Sequence, residues 1–149
     1  MLFNFIVGFI ISWIIGFYLF KRSPKIVLIL FPITTVISHT VNALGVYLEY
    51  WHLEPKIHDT LSYLPFDIGF YPILACLLIY FINKGINSFY SLIFISLSTT
   101  ILEYIAYLFN KVIYANGWTI YFTFFSYLVS YTLVYFYYLL LQKYEVFSK

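Results

Sequence analysis

Five long apolar runs divide the chain, at residues 2–20, 26–51, 60–83, 88–110 and 118–142. Each is about long enough to cross the hydrocarbon core of a bilayer as a helix, which takes about 20 residues. The breaks between them are short and polar: Lys21, Arg22, Ser23, Pro24 and Lys25; a loop over 52–59 that contains Pro55; the tight Lys84-Gly85; and 111–117, which carries the turn dipeptide Asn116-Gly117. This pattern predicts an all-α fold, a polytopic transmembrane helical bundle of five spans. No linker is long enough to separate domains, so residues 1–149 form one. No repeat of solenoid period occurs, and an odd number of spans argues against a simple two-fold duplication.

Polar positions inside the runs are few and ordered. Thr35, Ser38, His39, Asn42 and Glu49 fall on one stripe of the second run, Ser96, Thr99, Thr100, Glu103 and Asn110 on one of the fourth, and Thr119, Thr123, Ser126 and Ser130 on one of the fifth. Spacings of three and four keep each set on one helix face. Such groups gain hydrogen bonds by facing other helices and gain nothing by facing lipid. Depth is countable at about 1.5 Å per residue. Counting from the Lys25 end puts His39 about 21 Å up, Asn42 about 25 Å, and Glu103 and Asp67 each about 24 Å. His39, Asn42, Asp67 and Glu103 are therefore expected at one level, with Asn4 as a possible fifth member. An ionisable residue in a bilayer is costly, so several at one depth mark a shared functional site. The third run adds a signature around Asp67. Pro72 cannot donate to the carbonyl of Ile68, so a kink or opening is expected there, and Gly69 admits a neighbouring backbone.

Composition sharpens the membrane reading. The chain is 63% hydrophobic and 9% charged, against about 25% charged for soluble domains, and its mean hydropathy is +0.90. The partner it needs is a lipid bilayer. A net charge of +2, with no basic run interleaved with aromatics, excludes nucleic acid. Loops alternate sides across five spans. Lys21, Arg22, Lys25, Lys84, Lys143 and Lys149 share one side and Lys56 and Lys111 the other, which predicts N-terminus out and C-terminus in. Trp51 and Trp118 then both reach the outer interface. The first run lacks a positive leader and a small-x-small site, so it is expected to be a retained span rather than a cleaved signal. Cys76 lies alone in an apolar run and is expected to pack. Aromatics reach 25%; coding bias that enriches Phe, Tyr, Ile, Asn and Lys together explains them more simply than a ligand cage does.

Three kinds of function suit the polar level. The first is a site that binds or translocates a small polar solute, an ion or a lipid headgroup, or relays protons. A carboxylate in a low-dielectric interior needs a cation or donors beside it. The expected ground state is thus one His39–carboxylate ion pair plus a second carboxyl that is neutral or bonded to Asn42. The second is an intramembrane enzyme with Asp67 or Glu103 as acid/base and His39 as partner. The third is an accessory or structural subunit whose polar groups hold helices together, at about 0.6–2 kcal/mol per hydrogen bond. No motif of metal-site spacing and no cofactor motif occurs, so neither is expected. The loop cluster Glu49, His52, Glu54, His58 and Asp59 also matches no metal signature and reads as a solvated loop. Nothing in the sequence sets an oligomeric state.

The stretches Asn42-Ala43-Leu44-Gly45-Val46-Tyr47 through Trp51, and Leu64-Pro65-Phe66-Asp67 through Tyr71-Pro72, resemble those of a family of small, multi-span, uncharacterised membrane proteins from endospore-forming, low-GC bacteria. The resemblance covers most of the chain. It implies a multi-pass protein of a bacterial plasma membrane and carries over no catalytic residue. The small membrane cyclases of carotenoid synthesis are similar in size and in having acids in the membrane, without a shared motif.

Overall fold

A computed structural model describes residues 1–56 and 59–147 of the chain. Five helices are long and apolar enough to cross a membrane: α1 Leu2–Arg22, α2 Pro24–Tyr47, α3 Thr60–Asn83, α4 Ser88–Leu108 and α5 Ile120–Lys143. Their outward faces carry large apolar side chains, such as Ile14, Phe17, Leu28, Phe94, Phe125 and Leu133, while Ser12, Asn42, Asp67, Ser96 and Thr99 are buried. Polar inside and apolar outside is the reverse of a water-soluble bundle and suits lipid as the solvent.

α3 is the central helix and touches the other four. Its half toward Asn83 forms a dry core in which Ile73, Cys76, Leu78 and Ile79 pack against Leu30, Ile95, Tyr131 and Val134. Cys76 is free and wholly buried there, as packing requires. The acids Asp67 and Glu103 lie in the other half.

The second helix is shorter than its apolar run. It ends at Tyr47 in a Schellman turn, with Glu49 N–H bonded to the Val46 carbonyl at 3.0 Å, Tyr50 N–H bonded to the Gly45 carbonyl at 2.9 Å, and Glu49 at φ 54°. Glu49 is therefore not part of the helical stripe. The same turn ends α4, where Asn110 takes φ 52° and leaves that stripe too. Thr119 precedes α5 with an extended backbone. Both connections at this end form short strands, β1 Trp51–Leu53 and β2 Val112–Tyr114, paired antiparallel with Trp51 opposite Tyr114. The fold is thus the helical one expected, with five long apolar helices and a small two-stranded cap that the sequence did not predict. Asn116 and Gly117 follow with positive φ, and Trp118 N–H reaches the Ala115 carbonyl at 2.9 Å, closing the turn expected of that dipeptide. Trp51 and Trp118 meet under the cap with ring centroids 4.6 Å apart. Gly45 leaves the space that the Trp51 ring fills.

Two of the helices widen into π-helical turns, α1 over Ile6–Ile11 and α3 over Phe66–Phe70, and these turns lie against each other. Gly8 and Gly69 make the crossing possible. A Cβ on Gly69 would stand 2.1 Å from the Gly8 carbonyl oxygen, and one on Gly8 would stand 2.9 Å from the Phe66 nitrogen. Pro72 follows the widened turn of α3 and has no N–H to offer the preceding carbonyls. Side chains from neighbouring helices approach two of these carbonyls. Trp13 Nε1 donates to the Ile68 carbonyl at 3.1 Å, and Ser38 Oγ reaches the Asp67 carbonyl at 3.3 Å. Trp13→Phe removes this donor from the Ile68 carbonyl in an apolar setting. The expected loss is about 1–3 kcal/mol, read as a lower unfolding midpoint in detergent. Adding Pro72→Ala returns a backbone donor to the same turn and should recover part of the loss; no recovery would show that Trp13 acts by packing alone.

Candidate functional site

Asp67 sits in the widened turn with 1% of its surface exposed. Its two oxygens have different partners. Asn42 Nδ2 donates to Oδ1 at 2.7 Å, and His39 Nδ1 lies 3.0 Å from Oδ2. His39 and Asn42 are on adjacent turns of one α2 face, so a single carboxylate on α3 meets both. When Asp67 is ionised it can only accept, so Nδ1 then carries the proton of this contact. The His39 side chain is 50% exposed. A cavity of about 210 Å³ begins at this trio and reaches Ala43, Tyr47 and Thr60, where α2 ends and α3 begins. The most buried acid of the described chain thus forms the floor of a cleft leading to the β-capped end.

Glu103 is at the same end of the bundle, in a different set of bonds. Tyr114 donates to its Oε1 at 2.6 Å and Tyr127 to its Oε2. Thr123 adds a longer contact at 3.4 Å, bonds the Tyr114 hydroxyl at 3.0 Å, and accepts from Trp118 Nε1 at 2.9 Å. The Tyr71 hydroxyl, one turn beyond Asp67, lies 3.3 Å from that of Tyr127. Burial and the charge of Glu103 push the Tyr114 phenol up from its ordinary range, so it stays a donor.

The expected single cluster is therefore two. His39 and Asn42 share one carboxylate, and Asn42 bonds Asp67 rather than the second acid. Glu103 is held by hydroxyls alone. Among the described residues no three His, Cys, Asp or Glu side chains converge as metal ligands would. The two clusters adjoin, because Asn42 and Glu103 both line a cavity of about 20 Å³ under Trp51 and Trp118, room for about one water. Asn4 belongs to neither. Its amide donates to the carbonyls of Glu54 at 3.0 Å and Ser62 at 3.1 Å, tying α1 to the residue after β1 and to the start of α3. In the loop set, Glu49 caps a helix, His52 pairs with Ile113 in the sheet, and the Glu54 carbonyl accepts from Asn4. His58 and the side chain of Asp59 lie outside the described residues.

Comparison with known proteins adds no precedent. No family model, curated protein or solved structure matches the chain. The chemistry of the site has to carry the functional reading.

Tyr71, Tyr114 and Tyr127 are the members that sequence reasoning missed. Seventeen tyrosines hide any three of them. One signal was present: Tyr127 follows Thr123 by one turn and lies beside Ser126 and Ser130 on the polar side of α5.

Proposed function

We propose that this chain is an integral protein of a bacterial plasma membrane, N-terminus out and C-terminus in, that binds a small polar solute, ion or lipid headgroup at Asp67 in the outer half of the bilayer. One observation carries the reading: the buried Asp67 carboxylate, held by His39 and Asn42, is the floor of a cleft of about 210 Å³. A pair that served only to join α2 to α3 would need no cleft above it. The charge of the floor favours cations and hydrogen-bond donors. The His39–Asp67 contact gives a proton a path between the two side chains as a ligand arrives. The arrangement of the ends supports the orientation. Lys21, Arg22, Lys25, Lys84 and Lys143 lie at the end away from the cap, and Lys56 and Lys111 lie at the cap. The bacterial setting rests on the resemblance of the Asn42–Trp51 and Leu64–Pro72 stretches.

A second reading has one observation in its favour. An imidazole fixed through Nδ1 by a buried carboxylate, with Nε2 left over, is the geometry of an oriented general base. It would make the same cleft an active site.

Cysteine labelling tests cleft and orientation together. Thr60→Cys and Ala43→Cys are expected to react with a small membrane-impermeant thiol reagent on intact cells, and Lys84→Cys only after the cells are opened. Reaction of Lys84→Cys from outside would reverse the orientation. An unreactive Ala43→Cys beside a reactive Thr60→Cys would mean that the cleft is closed to water.

A further inference from the structure

A second cavity lies on the other side of α3, where α1 and α4 flank the central helix. It has a volume of about 270 Å³ and is partly open. Its wall is apolar and rich in aromatic rings, including Phe3, Phe66, Phe70 and Phe109, with Glu103, Tyr71 and Tyr127 also lining it. Lys111 lines it as well, beside the cap. The two charges do not meet. Among the described residues Glu103 forms no ion pair, and Lys111 Nζ rests 5.6 Å from the centroid of the Phe3 ring.

We propose that this cavity is a binding site for a lipophilic primary amine, with the ammonium at Glu103 and the chain along the α1–α4 groove. Glu103 has hydroxyl donors and no cation, so an ammonium supplies the countercharge that its surroundings omit. Phe66, Phe70 and Tyr71 line the cavity, and aromatic rings attract a cation in a desolvated site. The flanking positions of α1 and α4 give the chain a path from the surrounding lipid. A carboxylate or phosphate placed at Glu103 would instead meet like charge. Two sources share the amine chemistry. A simple long-chain amine uses Glu103 alone, whereas an aminophospholipid also brings a phosphate, which Lys111 is placed to meet at the rim. This site is separate from the Asp67 cleft and does not depend on the function proposed there.

Photoaffinity labelling tests it with the full chain in phosphatidylcholine nanodiscs. The probes are a 12-carbon amine, alcohol and carboxylic acid that carry the same diazirine near the chain end, and a diazirine-bearing phosphatidylethanolamine. The amine is expected to label peptides containing Phe66–Phe70 and Leu102–Phe109 at least ten-fold more than the acid does, and excess unlabelled dodecylamine should suppress it. Glu103→Gln should reduce amine labelling to the level of the alcohol. Ala106→Leu, which fills the cavity and leaves Glu103 in place, should reduce it as well and guards against a fold defect. Asp67→Asn should leave it unchanged, which separates this site from the other. Lys111→Gln should weaken labelling by phosphatidylethanolamine only, if the source is a phospholipid; labelling by both probes unchanged in Lys111→Gln would assign the site to simple amines. Equal labelling by acid and amine, or labelling spread evenly over the outer faces of the five helices, would overturn the proposal.

Discussion

Replacing Gly69 with valine is expected to pry α1 away from α3 and to lower stability by about 3 kcal/mol, near the upper end of what overpacking costs. The new Cβ would stand 2.1 Å from the Gly8 oxygen and 3.0 Å from Phe9 Cα. Both atoms are backbone, so no side chain can rotate aside and a whole helix has to move. That movement also stretches the bond from Trp13 to the Ile68 carbonyl. Gly16→Ala is the natural comparison. Its nearest obstacle, Ile73 Cδ1 at 2.7 Å, is the end of a flexible side chain, so the loss should be about 1 kcal/mol or less. Unfolding midpoints in one detergent decide the matter. If Gly69→Val is no worse than Gly16→Ala, the two widened turns do not interlock.

Asp67→Asn is expected to separate folding from binding. The amide keeps the shape of the carboxyl and can still accept from Asn42, so the protein should insert and fold. It removes the charge that a cation or donor meets at the floor of the cleft. A hydrogen bond to a charged group contributes about 1.5–3 kcal/mol, so affinity should fall by about 10- to 150-fold. Asp67→Ala goes further and strands both the Asn42 amide and His39 Nδ1. It should lose binding and also about 1–3 kcal/mol of stability. A binding loss seen only together with a folding loss would return Asp67 to the role of a helix strut.

The sequence made the helices legible because twenty-residue apolar runs have few alternatives. It also made the Asp67 trio legible, because His39 and Asn42 share a helix face and the rise per residue brings them level with Asp67. Glu103 shows the limit of such counting. Depth says that two groups are level and leaves open which way each faces around its helix. Glu103 turned toward Tyr114 and Tyr127, residues that composition buries among many like them. The β1–β2 cap was out of reach for a different reason. Three-residue strands have no measurable period, and their pairing joins residues some sixty apart in the chain. The widened turn was half visible. Pro72 announced that the turn would miss a backbone donor, but only the structure shows Trp13, from another helix, donating to the Ile68 carbonyl.

The central claim is that Asp67 binds a ligand rather than merely joining two helices. It is tested most directly by mass spectrometry of small molecules and lipids that co-purify with the gently solubilised protein, comparing the wild-type chain with Asp67→Asn at equal fold content. At least one polar species is expected to be enriched with the wild-type protein and reduced ten-fold or more in Asp67→Asn. Identical profiles from two equally folded proteins would contradict it.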